Sequence, residues 1–162
     1  MQLLLMRHAK SDWEQGMSDF DRPLNARGEE AAEKMGELLN ELDLMPDHII
    51  SSSAQRARET AEGVVEGSDY EGTVYYSDRL YLCDIVDFVR VIQQEGGDNN
   101  RVLVIAHNPG TEGFISYLTK EMKRVTTANI ALIDLPINSW KELDTQVRGE
   151  LKGFWRPREP RY

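Results

Sequence analysis

Two short runs, Gln2–Met6 and Arg101–Ala106, constrain the fold of this chain most strongly, because both are apolar after their first residue. Neither run alternates polar and apolar residues, as a strand with one solvated face does. Strands buried on both faces occur in sheets that helices cover on both sides. The two runs therefore predict an α/β layered fold with a central, largely parallel sheet.

Segments with strand and helix patterns alternate along the rest of the chain, as such a fold requires. At 162 residues the chain is too short for two ordinary domains, so we expect a single domain over residues 1–162. Side chains that accept a backbone N–H start three of the four predicted helices, and Pro or Gly ends two of them. The predicted strands are Gln2–Met6, His48–Ile50, Thr73–Tyr76 at a sheet edge, Arg101–Ala106, Ile130–Leu135 and Gln146–Phe154. The predicted helices begin at Asn25, Ser53, Asp84 and Pro109, and they end before Pro46, near Val65, at Gly96 and towards Leu118.

Composition and charge exclude several classes of partner. The chain is 40% apolar and 29% charged, as soluble globular proteins are, and its formal net charge is −9. That charge argues against nucleic acid or an anionic membrane as the main partner. No apolar run approaches the roughly 20 residues that span a bilayer, and the N-terminal run does not resemble a secretory signal. Since Cys83 is the only cysteine, no intrachain disulfide is possible, and we expect a cytoplasmic protein.

Two of the three histidines follow the two most apolar strands directly. The first strand leads into Arg7-His8, and the strand Arg101–Ala106 leads into His107. In open α/β sheets, ligands bind beyond the carboxyl ends of the central strands. The sequence therefore predicts that His8 and His107 lie together in a functional site.

These residue types suit phosphoryl transfer. A neutral imidazole is a competent nucleophile towards phosphorus near pH 7, which makes His8 the candidate nucleophile. Catalysis of phosphoryl transfer is largely positioning and electrostatic stabilisation, and Arg7 offers a planar fork of donors for phosphate oxygens. A protonated His107 and the N-terminus of the helix near Pro109 would add further donors. Phosphoryl transfer by this set of residues requires no metal.

The segment Ser51–Ala61 adds two more arginines at the same predicted edge of the sheet. Arg56 and Arg58 are two residues apart on a helix, so they lie roughly 200° apart around its axis. We therefore expect one of them to point into the site and the other to point away.

Three motifs in this order resemble the histidine phosphatase superfamily, also called the phosphoglycerate mutase-like family. They are Arg7-His8-Ala9, the Ser51–Ala61 segment with Arg56, and His107-Asn108-Pro109. The stretches 7–13 and 21–28 look like its SixA-type phosphohistidine phosphatase branch. The resemblance implies an αβα sandwich, transient phosphorylation of His8, and a phosphate pocket formed by Arg7, Arg56 and His107. It also implies that no metal or organic cofactor takes part.

One part of the family pattern is missing. Larger members carry a glutamate as proton donor after the third strand, but the comparable stretch here, Asp78–Asp84, contains none. Asp84 and Asp21 are the candidate proton donors. Asp84 has the alternative role of a helix N-cap, and Asp21 that of a partner for Arg22 or Arg27. Asp21 lies in a polar loop from Arg7 to Leu24, which is long for a compact domain, and loops of that length are usually functional or disordered.

The missing acid bears on the substrate. Expelling an alkoxide requires strong general-acid help, whereas phosphohistidine releases an imidazole, which is a far better leaving group. A short chain also leaves little material for a lid, so an open site would admit a histidine carried on another protein. The leading prediction is a hydrolase that removes phosphate from phosphohistidine in proteins. The alternatives are a phosphatase for a small phosphomonoester and a phosphate-binding regulatory module without turnover.

Overall fold

The computed structural model describes residues 1–13 and 16–157, which form one sheet with helices on both of its faces. The strands are β1 (Gln2–Arg7), β2 (His48–Ser52), β3 (Val74–Ser77), β4 (Arg101–Ala106), β5 (Ile130–Asp134) and β6 (Glu150–Trp155). The helices are α1 (Ala26–Glu41), α2 (Gln55–Ser68), α3 (Ile85–Glu95) and α4 (Gly110–Thr119). Short 3-10 turns occupy Asp19–Asp21, Asp78–Leu80 and Trp140–Glu142.

The strands form a six-stranded sheet in the order β3-β2-β4-β1-β5-β6. The first four strands in this order are parallel, while β5 and β6 run antiparallel to their neighbours. The two apolar runs of the sequence are the central neighbours β1 and β4, with Met6 opposite Ile105. The predicted α/β fold with a largely parallel sheet is therefore confirmed, with β3 at the edge as expected.

Side chains of β1 alternate between two separate apolar cores, because successive residues of a strand point to opposite faces of the sheet. Leu3 and Leu5 pack in the core beneath α3 and α4, and Leu4 and Met6 pack in the core beneath α1 and α2. All four side chains are fully buried. The molecule thus has three layers, as the αβα sandwich requires.

Two of the three predicted helix caps are confirmed. The Asn25 side chain accepts the N–H of Gly28, and Asp84 forms a reciprocal capping box with Asp87 at the start of α3. The prediction for Ser53 is wrong, because α2 begins one residue later and Ala54 is its N-cap, without a side-chain cap. The Ser53 hydroxyl instead donates to the carboxylate of Asp78.

The ends of several elements differ from those predicted. Helix α2 continues to Ser68, beyond the expected end near Val65. Strand β6 begins at Glu150 rather than at residue 146, because the Asp144 carboxylate accepts the N–H groups of Gln146 and Val147 and closes a turn there. The predicted irregular tail after residue 155 lies mostly outside the described residues. Within the described ranges, no helix combines the length and the apolar character that crossing a membrane requires.

Candidate active site

His8 lies just beyond β1, and its backbone N–H donates to Ala106 O of β4 at 3.0 Å. Its ring Nδ1 is 2.7 Å from the carbonyl oxygen of Ala9. A carbonyl only accepts hydrogen bonds, so Nδ1 carries the proton and the Nε2 lone pair is available. The Ala9 N–H is in turn held by the Thr60 hydroxyl at 2.9 Å. The ring is therefore held in the tautomer that a nucleophilic Nε2 requires.

His107 follows β4 and lies beside His8, with 5.1 Å between the ring centroids. Its Nε2 is 2.7 Å from the hydroxyl oxygen of Ser52, which also accepts the N–H of Ala54. When that hydroxyl donates to Nε2, the proton of a neutral His107 resides on Nδ1. Nδ1 is buried and has no hydrogen-bond partner among the described residues. A buried donor without a partner is costly in a folded protein, and it marks a place for a ligand atom.

Three arginines surround the histidines, and each has a buried Nε without a partner in the described chain. Arg7 directs Nη1 to the carbonyl of Val125 at 3.1 Å. Arg56, from the first turn of α2, is 5% exposed. Arg22 lies over the ring of Trp13 at 4.4 Å. Their free Nε–H groups and the concentrated positive charge fit an anion such as phosphate.

The pKa values of both histidines are strongly lowered. Burial is the main cause of lowering the pKa of His8 to about 3, opposed by the hydrogen bond to Ala9 and reinforced by the neighbouring arginine charges. Burial likewise lowers the pKa of His107 to about 3, and the positive forms of His8 and Arg56 add to the effect. Both rings are therefore neutral at pH 7 in the absence of an anion. The sequence predicts His107 as a further donor only if it is protonated, and protonation at pH 7 would require a bound phosphate dianion to raise its pKa.

A carboxylate closes one side of the cluster. Asp19 Oδ2 accepts from Arg56 Nη2 at 3.0 Å and from the Tyr81 hydroxyl at 2.5 Å, and Oδ1 accepts from Arg22 Nη2 at 3.1 Å. Although partial desolvation opposes it, these donors lower the pKa of Asp19 to about 2. The Tyr81 ring also packs edge-on against His107, with 5.5 Å between centroids. At neutral pH Asp19 is ionised and holds no proton to donate.

The structure brings together all four residues that the sequence placed in the phosphate pocket: Arg7, His8, Arg56 and His107. Arg58 points elsewhere, with its Nε donating to Ser53 O and its guanidinium over the ring of Tyr76, so one of the two arginines points away as the helical spacing predicts. The two candidate proton donors have other partners. Asp84 caps α3, which is its alternative role, and Asp21 accepts a hydrogen bond from the Ser18 hydroxyl. Among the ion pairs of the described residues, neither Arg22 nor Arg27 is a partner of Asp21, and Arg22 pairs with Asp19 instead.

Four contributors were missed by sequence reasoning: Ser52, Asp19, Tyr81 and Arg22. Ser52 ends β2, so the strand-exit rule that selected the histidines applies to it equally. Asp19 and Arg22 lie in the long loop whose length is typical of a functional or a disordered segment, but only the tertiary structure distinguishes Asp19 from Asp21. Tyr81 lies in the stretch Asp78–Asp84, in which the family pattern predicts an acidic proton donor rather than a tyrosine.

No group of three or more His, Cys, Asp or Glu side chains that could hold a metal ion is present in residues 1–13 and 16–157. The exclusion of a metal from the reaction stays a prediction.

Comparison with known proteins gives the family. The family model of the histidine phosphatase superfamily (branch 1) matches residues 3–81, which include His8, Arg56 and Tyr81. An uncharacterized chloroplastic protein of Arabidopsis thaliana is 32% identical over 150 residues, covering 86% of this chain and 69% of that protein. The chain belongs to the histidine phosphatase superfamily, and it is a phosphatase.

Solved structures agree with this assignment, and SixA proteins are among those whose fold is similar to that of this chain. A SixA protein of Agrobacterium tumefaciens, assigned as a phosphohistidine phosphatase, is 26% identical with a TM-score of 0.82, covering 96% of this chain and 97% of that one. The protein histidine phosphatase SixA in complex with tungstate shares the fold at 24% identity and a TM-score of 0.82, covering 97% of both chains. The six-stranded sheet with four helices is therefore the phosphoglycerate mutase-like fold.

Proposed function

We propose that this phosphatase removes phosphate from phosphohistidine in proteins, through a covalent intermediate on Nε2 of His8. The observation that carries the proposal is the state of the His8 ring: it is neutral, with Nδ1–H bound to Ala9 O and Nε2 unpaired among the described residues, and arginines surround it. A lone pair fixed in position at neutral pH is what nucleophilic catalysis on phosphorus requires.

The phosphoryl oxygens have matching donors around that lone pair. Arg7, Arg22 and Arg56 supply the buried Nε–H groups that lack partners, and His107 supplies Nδ1–H. These groups would stabilise the charge that spreads over the transferring oxygens. Tungstate, which the SixA structure above binds, is a suitable analogue for testing this pocket.

The acids near the site favour a substrate with a good leaving group. Asp19, the carboxylate in contact with the cluster, is ionised and engaged by Arg56 and Tyr81. A sugar or alkyl phosphate would need a protonated acid to expel its alkoxide, whereas an imidazole leaves readily and takes its proton from water. The site chemistry therefore supports phosphohistidine over a phosphomonoester.

The reaction has two steps. In the first, His8 Nε2 forms a bond to phosphorus as the P–N bond of the substrate phosphohistidine breaks, and the released imidazole takes up a proton. In the second, water forms a bond to phosphorus as the bond to Nε2 breaks, and its proton is released with inorganic phosphate. Two substitutions at phosphorus thus return His8 to its starting state.

Steady-state kinetics on two kinds of substrate tests the proposal. We expect kcat/KM on a protein phosphorylated on histidine to exceed kcat/KM on each member of a panel of sugar phosphates at least a hundredfold. The variant His8→Asn retains part of the size and polarity of the ring but lacks Nε2. Its rate should therefore be lower by about 10⁴-fold or more. A preference for a sugar phosphate would contradict the proposed substrate, and retained turnover in His8→Asn would contradict the proposed nucleophile.

A further inference from the structure

Two recesses flank the active site and meet on the first two turns of α4. The larger, of about 820 Å³, is lined by Arg7 of the site and by the segment 122–126. The smaller, of about 370 Å³, is lined by Cys83–Val86, which begins two residues after Tyr81. Pro109 and Gly113 line both recesses. The site is therefore bordered by one continuous hollow surface.

Large apolar side chains stand exposed along this surface. Leu82, beside the smaller recess, is 82% exposed, and Val86 is 44% exposed. Met122, at the far side of the larger recess, is 94% exposed. Exposed apolar side chains grouped beside a catalytic site are a feature of protein–protein contact surfaces, and flexible Met side chains adapt to a partner.

Gly113 lies where the two recesses meet, in the interior of α4. A Cβ atom at this position would have no neighbour within 4 Å, so the packing of this chain does not require glycine there. Glycine inside a helix is less stable than alanine, because its backbone loses more conformational freedom on folding. Its bare backbone lets a second molecule approach α4 closely between the recesses.

The charges along the surface indicate which kind of partner surface it would bind. Lys123 and Arg124 line the larger recess in a chain whose formal net charge is −9. The carboxylate of Glu112 there is engaged by the N–H of Val125 at 2.9 Å and by the side-chain amide of Asn108. The exposed Asp84 lies at the opposite end, in the smaller recess. The cations are thus concentrated on one side of the phosphate pocket.

The geometry points to a docking surface for the substrate protein, formed by Leu82–Val86, Pro109–Gly113 and Met122–Thr126. This inference rests on the proposed function and specifies its substrate. The partner presents an apolar patch over Leu82 and Val86 and acidic side chains opposite Lys123 and Arg124, with its phosphohistidine between them. Such charge complementarity sets the rate of encounter and the orientation of the bound protein.

Substitutions at Gly113 test the surface against two substrates: a small acidic protein phosphorylated on histidine with phosphoramidate, and free phosphohistidine. The bulky Gly113→Gln should lower kcat/KM on the protein at least tenfold, mainly through KM, and change the rate on free phosphohistidine less than twofold. Gly113→Ala, whose methyl group meets open space, should lose much less on the protein. Parallel losses on both substrates, or no loss on the protein, would overturn the docking surface.

Charge reversal tests the basic side of the surface. The double variant Lys123→Glu and Arg124→Glu should lower kcat/KM on the acidic phosphoprotein about tenfold and reduce its dependence on salt. The control is Lys141→Glu, an exposed lysine in the turn Trp140–Glu142. The Trp140 indole of this turn donates to Asn99 O at the amino end of β4, away from the active site, so the variant should change the rate less than twofold. Equal effects of the two charge changes would refute the inference.

Two further outcomes distinguish a docked substrate protein from a small substrate and from a second copy of this chain. If the unmodified enzyme cleaves free phosphohistidine but not the phosphoprotein, the proposed protein substrate fails, whereas the histidine mechanism stands. If Gly113→Gln leaves KM unchanged and converts a dimer into a monomer in sedimentation velocity, the surface binds a second copy of this chain, and the docking of substrate is wrong.

Discussion

The parallel and antiparallel halves of the sheet contribute to the active site in different ways. The carboxyl ends of β1, β2 and β4 place three side chains in the site: His8 directly after β1, Ser52 at the end of β2, and His107 directly after β4. The antiparallel strand β5 arrives from the other direction, so the residues before it reach the same edge. They contribute backbone groups, with Ala128 N–H donating to the carbonyl of Arg7 at 3.0 Å and Val125 O accepting from its guanidinium.

The parallel half of the sheet thus positions the reacting side chains, whereas the segment before β5 stabilises the site. The side chains on the parallel half include buried groups that lack partners and histidines whose pKa values are far from their ordinary range. Arrangements of that kind cost stability and are retained where a ligand uses them. The segment before β5 instead fixes Arg7 through main-chain contacts. Substitutions in the parallel half should therefore affect activity first, and those near β5 should affect stability first.

After the replacement of His8 itself, the largest effect is expected for Arg56→Lys. Lysine keeps the charge but lacks the Nε–H and the fork of donors, so kcat/KM should fall by roughly 10²–10³-fold. The control is Arg58→Lys on the same helix, whose guanidinium lies over the ring of Tyr76 and away from the site. We expect a change of less than twofold for this variant. Similar losses in the two variants, measured by steady-state kinetics, would contradict the assignment of Arg56 to the pocket.

Stability should fall steeply with acid because of the two buried histidines. Between pH 6.5 and 3 the unfolded chain takes up a proton on each ring, whereas the folded chain, with both pKa values at about 3, does not. Each histidine should therefore remove up to about 1.4 kcal/mol of unfolding free energy per pH unit as pH falls in this range. Urea unfolding at pH 7, 6 and 5 measures the slope.

The variant His8→Asn isolates the contribution of one ring. Its unfolding free energy should fall less steeply between pH 7 and 5 than that of the unmodified protein. Parallel slopes for the two proteins would show that the pKa of His8 is not lowered.

A moderate effect is expected at Asp19, whose carboxylate accepts hydrogen bonds from Arg56 and Arg22, two arginines of the proposed phosphate pocket. Asp19→Asn removes the negative charge that competes with phosphate for the arginines. The inhibition constant of inorganic phosphate should therefore fall about tenfold, which corresponds to about 1.4 kcal/mol of binding free energy. Asp21→Asn, two residues further on and bonded to Ser18, is the matched control and should change inhibition less than twofold. Weaker inhibition in Asp19→Asn would show that Asp19 positions Arg56 rather than competing for it. A large loss of turnover in Asp21→Asn would restore Asp21 as a candidate proton donor.

The smallest effect is expected at Lys120, which ends α4 with a left-handed backbone at φ 60°. Glycine adopts this conformation without the steric cost that a Cβ imposes, so Lys120→Gly should stabilise the protein by about 0.5–1 kcal/mol. Thermal unfolding measures the gain. Because Lys120 belongs to the segment that leads to β5, kcat/KM should stay unchanged. A loss of activity would contradict the expectation that substitutions near β5 affect stability before activity.

The sequence predicted the part of the site that depends on strand exits and helical spacing. The apolar runs of β1 and β4 identify His8 and His107 because strand direction alone brings their ends to one edge. Helical spacing separates Arg56 from Arg58, although it does not tell which of them points inward. The roles of Asp19 and Arg22 depend on how a loop folds back over the sheet. The start of β6 depends on a turn at Asp144 that the apolar pattern does not show.

The most direct test of the proposed mechanism is to trap the phosphorylated enzyme. The protein is mixed with a phosphohistidine donor that carries labelled phosphorus, quenched in base within one turnover, and mapped by peptide analysis. The mechanism predicts an acid-labile, base-stable phosphate on the peptide that contains His8, and its loss in His8→Asn. A label on any other residue, or full turnover by the variant, would contradict it.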